Sequence, residues 1–399
     1  MPPPTLRAFL SLPPPSPLLS CALGNSASDL DSLISAVCLS FGLHLRDPDA
    51  PPVTPLANLP PGGLRLRPDY AYLAAKLGLP PPLDAGPFFR QLADASLPPP
   101  SLHLVDGNTV TTNLPFPPPH AARVLSIHDH HADAGEHLRA SPRVVVVPCG
   151  STCSLLHCRL FSPLPSPPAP HLILPLALLL VTAMVDTSNF SDAAGKTTAL
   201  DLRCRDEVRA YLASFPAATL AEELGGSSVD ELYEGCVAAR FERGFWEGLS
   251  FPELVEMDYK AFGGGGKKAG VASVLLPVGM LGRDGMEAGE WGGRIGKELD
   301  GLVVMAVVKE EGGGARREFA AFEREGVEGG VGDFVAAQSG GGAELELERD
   351  AALEERVRKG VLGDEKGWRV VAGRQHNMKG SRKILAPLLV EFLEAGKDA

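Results

Sequence analysis

The chain has 399 residues, more than one ordinary domain needs, and 44% of them are hydrophobic, a globular composition. With 49 Asp and Glu against 37 Lys and Arg the formal net charge is −12, which argues against broad electrostatic binding to nucleic acid. An anionic substrate stays open, because bound divalent cations can reverse the sign of a local field.

Seven cysteines, an odd number with no CxxC pair, argue against a disulfide framework and fit a reducing, cytoplasmic setting. The N-terminal stretch MPPPTLRAFLSLPPPSPLLS lacks the continuous apolar run of a secretory signal. The most apolar stretch, Leu172 to Val185, is fourteen residues long and contains Pro175. A membrane span needs roughly 20 residues, so this stretch is expected to be buried in the protein, with no membrane partner.

Several segments in chain order share one design, a short apolar run that ends in acids or histidines. LLSCALGNSASDLDS leads to Asp29 and Asp31, SLHLVDGN to Asp106, RVLSIHDHH to Asp129, His130 and His131, and LPLALLLVTAMVDTSNF to Asp186. A fifth, RVVVVPCGSTCS, ends at Gly150, Ser151 and Thr152. Runs of this kind suit buried parallel strands. After Asp31, the residues Leu33, Ile34, Val37, Cys38 and Phe41 recur at helical spacing, with Ser28 or Asp29 as the N-cap.

Strand and helix alternate, which predicts an α/β fold with a doubly wound, mainly parallel sheet, and ligands of such sheets bind beyond the carboxyl ends of the strands. Proline-rich stretches at 48–61, 80–82, 98–100, 115–119 and 163–170 read as surface loops. Residues 191–235 read as a linker with some helix. A second α/β domain follows, with β-rich pieces GVASVLLPVGM and GLVVMAVVKE. Its glycine runs at 263–266, 312–314 and 340–342 match no phosphate-binding P-loop and read as loop insertions.

Asp29 and Asp31 are two residues apart in one loop, so both carboxylates can face one ion, and Asp106, Asp186 and His130 can complete the set. Carboxylates with imidazole suit Mg²⁺ or Mn²⁺. Acids shared between two such ions would hold them about 3.5–4 Å apart and activate water for in-line attack on phosphorus. Cys149, Cys153, His157 and Cys158 are a weaker zinc pattern, with irregular spacing.

The motifs GNSASDLDSLISA, LVDGN, HDHHAD with CGSTCSLL, and MVDTSN resemble the successive motifs of the DHH phosphoesterase superfamily. The later DYKAF and GSRKILAPLL resemble the DHHA2 domain, and the glycine-rich GGHxxAAG element of the DHHA1 branch is absent. The resemblance implies a DHH domain over 1–190, the linker, and a DHHA2 substrate-binding domain over 236–399. It also implies two divalent cations. Asp29 and Asp31 would each bind one, Asp106 and Asp186 would bridge both, and His130 would be a ligand of the second. His131 would face the substrate, and Arg382, Lys383 and Lys260 would bind phosphates.

The implied activity is hydrolysis of phosphoanhydride bonds, as in fungal exopolyphosphatases acting on inorganic polyphosphate. Two alternatives within the hydrolases are an inorganic pyrophosphatase and a prune-type phosphodiesterase or nucleotide hydrolase. A non-catalytic scaffold that keeps the fold is the alternative of another class. Asn25 stands where the pyrophosphatases carry a histidine ligand, and it is expected to contribute an amide oxygen and leave room for a longer substrate. Ser26 and His128 are further departures from the family pattern.

Overall fold

The computed structural model describes residues 3–13, 20–59, 62–94, 100–110, 123–192, 195–282, 298–310, 312 and 314–395. The chain divides into two compact units, Met1–Arg240 and Phe241–Ala399. The proline-rich stretch 115–119 and residues 60–61, 98–99 and 313 of the neighbouring expected loops lie outside the described residues.

The first unit is built on six parallel strands: β1 (Ser20–Leu23), β2 (Thr54–Ala57), β3 (Leu83–Asp84), β4 (Ser101–Val105), β5 (Val124–Asp129) and β6 (Arg143–Val145). Their order across the sheet is β3-β2-β1-β4-β5-β6. Side chains alternate between two buried faces, as the period of a strand demands. Cys21, Leu23, Leu56, Leu102, Leu104 and Ile127 pack on one side with Phe89. Ala22, Ala57 and Val105 face the larger core on the other.

That core is helical. It holds α1 (Leu30–Arg46), α2 (Pro68–Leu77), α3 (Thr152–Leu156) and α4 (Ile173–Thr187). The α1 helix begins at Asp29, whose side chain accepts the Ser32 N–H as an N-cap.

Three sequence expectations change here. The run into Asp186 is the helix α4, not a strand, and every residue of it except Asp186 is buried. Fifteen residues would reach roughly 50 Å as a strand, whereas the strands of this sheet have two to six residues. A segment apolar on all sides fits instead as a helix surrounded by core. Pro170–Thr187 is long and apolar enough to cross a membrane by length and composition, yet 83% of it is buried inside the protein.

The proline-rich stretch 48–61 contains β2, with Thr54 to Ala57 all buried, because Val53, Leu56 and Leu59 pull it inward. The expected linker 191–235 is largely helical. It forms α5 (Ala199–Leu212), α6 (Ala217–Glu223) and the start of α7 (Val229–Arg240). Cys204, Val208, Leu212, Leu232 and Cys236 bury into the first core, and charged residues on the remaining faces hid that stripe in the composition.

The second unit carries a mixed sheet of β7 (Tyr259–Gly264), β8 (Lys267–Val274), β9 (Gly301–Lys309), β10 (Ala315–Arg324), β11 (Leu347–Arg349) and β12 (Trp368–Gln375), ordered β11-β12-β10-β9-β8-β7. Among these described strands β8 and β9 pair in parallel and the other neighbours antiparallel. The glycine run 263–266 makes the β7–β8 hairpin turn, where Gly265 and Gly266 take φ of 59° and 85°. Helices α8 (Val331–Ala337) and α9 (Arg382–Ala395) cover one face through Phe334, Leu385, Leu389 and Leu393. The helix Ala351–Leu362 packs against β12 and the turn at Val278–Met280.

Two glycines let backbone meet backbone in this second unit. A Cβ at Gly360 would lie 2.4 Å from the Gly282 carbonyl oxygen. In an exposed helix interior Gly→Ala stabilises by about 1 kcal/mol. Here the sign inverts: Gly360→Ala is expected to destabilise by about 1–3 kcal/mol, read as a lower urea midpoint at unchanged slope. A raised midpoint would contradict the close approach.

Candidate active site

The strand order reverses its winding between β1 and β4. In an open parallel sheet that reversal opens a crevice at the carboxyl ends of the two strands. The loop 24–29 leaves β1 at this edge, Asp106 follows β4, and Asp129 ends β5 with His130 and His131 next in the chain. The C-terminal turn of α4 brings Asp186, and the N-terminus of α3 brings Ser151 to Cys153.

Asp31 is 2% exposed and surrounded by donors. Its Oδ1 accepts from Ser151 Oγ at 3.1 Å, Cys153 N at 3.0 Å and Ser35 Oγ at 3.3 Å, and its Oδ2 accepts from Thr152 N at 2.8 Å. The start of α3 thus points its free N–H groups at a carboxylate, as helix N-termini favour. Asp106, also 2% exposed, sits in the left-handed region at φ 54°. Its Oδ2 accepts from Asn25 Nδ2 at 2.8 Å and Ser32 Oγ at 2.7 Å. Its Oδ1 lies 3.3 Å from His130 Nε2 and 3.6 Å from His131 Nδ1.

The histidines differ in role. His130 Nδ1 is 3.0 Å from the Cys149 carbonyl, which can only accept. That nitrogen therefore carries the proton, and Nε2 is the ring atom turned to Asp106 and, at 3.8 Å, to Asp31 Oδ2. His131 Nδ1 is 2.9 Å from Asp129 Oδ1, so Asp129 orients the more exposed ring. Asp129 is itself fully buried and held by the Asn108 side-chain amide. The two imidazoles meet edge to face, with centroids 4.6 Å apart.

The charges of this cluster work against one another. Burial and the Asp106 charge raise the Asp31 carboxyl above its ordinary range, outweighing His130 and the Thr152 and Cys153 donors. Burial drives Asp186 well above its ordinary value, helped by Asp31 and Asp29 and opposed by His130 and Ser151. Asp106 goes the other way: burial would raise it, but the His130 hydrogen bond, both histidine charges and Ser32 hold it low. Asp186 Oδ2 is buried and has no hydrogen-bond partner among the described residues. A buried acceptor left unmatched beside two further carboxylates is the donor set a hard divalent cation takes.

Asp106, His130 and His131 each place one possible ligand atom within 4.8 Å of the others. Asp31 joins them through His130 and Asp186 through Ser151 and Asp31, while Asp29 stays at the exposed rim as the α1 cap. Asn25 departs from expectation. Its NH₂ donates to the Asp106 carbonyl and carboxylate, and its Oδ1 accepts the Ala27 N–H at 2.8 Å. Both ends of the amide are spent inside the protein, so it braces Asp106 and offers no oxygen outward. His128 is buried beneath the site, where desolvation first, then His103, Arg159 and Arg46, push its pKa down to about 4.

Arg382, Lys383 and Lys260 belong to the second unit. Arg382 donates to the Asp258 carboxylate at 2.6 Å and its carbonyl at 2.9 Å. Lys260 lies two residues beyond Asp258 on β7, and Lys383 is exposed in the first turn of α9. The Cys149, Cys153, His157 and Cys158 pattern forms no metal-ligand group among the described residues, and all seven cysteines are free thiols.

Sequence reasoning passed over Ser32 and Asn108, and named Asp129 at a strand end without giving it a role. Asn108 and Asp129 stand inside the quoted LVDGN and HDHH segments, but nothing in the sequence shows that their side chains point at each other.

Residues 244–392 match the DHHA2 domain. The match lies within the second unit. A Schizosaccharomyces pombe protein named "Putative exopolyphosphatase" is 27% identical over 276 residues. That match covers 65% of this chain and 64% of the relative, just under two thirds of its length. A Methanococcus jannaschii "putative family II inorganic pyrophosphatase" has a similar fold, with a TM-score of 0.57 at 18% identity. The superposition covers 94% of this chain and 99% of that structure.

The electrostatics predict a trade of stability against site charge. An acid whose folded pKa is raised binds its proton more tightly folded than unfolded, so its ionisation destabilises the fold as pH rises above the unfolded value. In chelator-treated protein, Asp186→Asn is therefore expected to melt above wild type at pH 7. The gap should close as pH falls through the raised value and wild-type Asp186 takes up its proton. Equal melting temperatures across the range in a thermal-shift titration would contradict the assigned repulsion.

Proposed function

We propose that this chain hydrolyses phosphoanhydride bonds and, within that class, releases terminal orthophosphate from inorganic polyphosphate. The observation that carries the reading is the gathering of buried Asp31 and Asp106 and half-buried Asp186 beside His130 at the reversal point of the parallel sheet. A cluster so unfavourable alone is explained by a cationic ligand. The name of the Schizosaccharomyces pombe relative supports the choice of substrate.

We assign two divalent cations, Mg²⁺ or Mn²⁺, to Asp29, Asp31, Asp106, His130 and Asp186; when bound they would supply Lewis-acid activation of water and charge neutralisation on phosphate oxygens. The protein's own groups do the rest. We assign phosphate binding to Arg382, Lys383 and Lys260, whose positive charges offset the non-bridging oxygens. Attack of a water oxygen on the terminal phosphorus breaks the anhydride P–O bond and leaves an anionic oxygen on the shortened chain. His131 carries a proton to that oxygen. Asp129 holds Nδ1 and leaves Nε2 as the ring atom for this transfer.

Phosphate release from pyrophosphate, tripolyphosphate, long polyphosphate and a cyclic nucleotide, each with Mg²⁺ or Mn²⁺, tests the reading. Tripolyphosphate or longer chains are expected to be preferred, and chelation should abolish turnover. Asp106→Ala and Asp186→Ala are each expected to lower kcat by at least about 10³-fold, while Arg382→Ala chiefly raises KM. Preference for pyrophosphate would overturn the substrate assignment. A folded protein that releases phosphate from none of these with either metal would be a scaffold, not an enzyme.

A further inference from the structure

Beneath the loop that carries Asp29 and Asp31 lies an arginine that none of the motifs includes. Arg67 is 4% exposed. Its main chain is the N-cap of α2, whose first turn bonds back to it through Ala71 N and Arg67 O at 2.9 Å. Its guanidinium turns toward the first motif. Nε donates to the Ser28 carbonyl at 2.8 Å, Nη2 to the Ala27 carbonyl, and Nη1 to the Leu66 carbonyl at 2.9 Å.

The residue it grips is strained. Ser28 is 1% exposed and holds φ at 45°, the left-handed region. A serine there costs of order 1 kcal/mol or more unless its surroundings fix it. The surroundings do so from two sides. Arg67 takes the carbonyl, and the Ser28 hydroxyl accepts the Asn58 N–H at 3.0 Å. Asn58 also donates from its side chain to the Gly24 carbonyl at 3.0 Å, so both ends of the turn are tied down. Ser28 directly precedes Asp29 and stands three residues before Asp31. The torsions at Ser28 therefore set where the α1 helix starts and which way both carboxylates leave it.

We propose that Arg67 is a positioning residue for the reaction. Its forked guanidinium locks the left-handed turn at Ser28 and so delivers Asp29 and Asp31 to the cation site. A lysine offers one point of donation and cannot span two consecutive carbonyls in the same way. The kinetic part of this proposal rests on the phosphohydrolase reading; the cation-binding part is read separately.

The test compares wild type with Arg67→Met, Arg67→Lys, Ser28→Gly and the double variant Arg67→Met/Ser28→Gly. Mn²⁺ affinity is measured by EPR, melting temperature with chelator present, and kcat and KM on tripolyphosphate. Arg67→Met is expected to weaken Mn²⁺ binding by about tenfold or more, in the range for groups that orient metal ligands. It should lower kcat with little change in KM, and Arg67→Lys should fall between the two. Glycine adopts the left-handed region without support, so Ser28→Gly should restore part of the affinity lost in Arg67→Met.

Arg67→Met with a lowered melting temperature but unchanged Mn²⁺ affinity and kcat would overturn the proposal, leaving a packing role only. Failure of glycine to restore any affinity would do the same. Should Arg67→Met not fold, unchanged Mn²⁺ affinity in Arg67→Lys would overturn it. Wild-type protein that binds Mn²⁺ but hydrolyses nothing would sink the phosphohydrolase reading, and the affinity comparison would still decide the role of Arg67.

Discussion

Repulsion among carboxylates gathered at one point is the constraint to which the first unit answers. Asp31, Asp106 and Asp186 come from the first turn of α1, the end of β4 and the last turn of α4, the first two buried and the third half-buried. Burying one unpaired charge is expensive, and burying several of one sign is worse. The fold answers unequally. Asp31 receives main-chain and hydroxyl donors, Asp106 receives an amide, a hydroxyl and two imidazoles, and Asp186 keeps an unmatched oxygen. The site is therefore built against its own stability in the direction that a cation would reverse.

Such an arrangement needs a stiff frame. The α4 helix supplies much of it, because a cylinder of leucine, valine and alanine packed on all sides cannot shift its final acid without disturbing the whole core. Termination is abrupt: Ser188, Asn189 and Phe190 all take positive φ, which stops the helix within two residues of Asp186. Ser28 and Asp106 are also left-handed. Strained torsions gather where acids must be aimed, a pattern expected of sites whose geometry is imposed by the surrounding structure.

The sequence made some of this legible and hid the rest for physical reasons. Short apolar runs before Asp106 and Asp129 marked β4 and β5, because a strand buried on both faces has no alternation to blur it. The same rule failed at 173–187, where an all-apolar helix and an all-apolar strand look alike and only length separates them. Prolines disguised β2, and charge on the outer faces of α5 and α7 disguised their buried stripes. Among site residues, the acids and His130 could be picked out because their chemistry is unusual at strand ends. Arg67, Asn108 and Ser32 could not, since each acts through one partner distant in sequence, a relation that composition does not carry. Asn25 is conspicuous in the sequence, yet its amide points inward to Asp106 rather than outward to a ligand.

The hydrogen bonds to Asp106 have a stereochemical corollary. Asn25 and Ser32 both donate to Oδ2, so Oδ1, facing His130 and His131, is the oxygen left over for anything else. Anything that reaches this aspartate from the histidine side meets one oxygen and not the other. Asparagine and serine at positions 25 and 32 thereby choose which face of a residue neither of them resembles stays open.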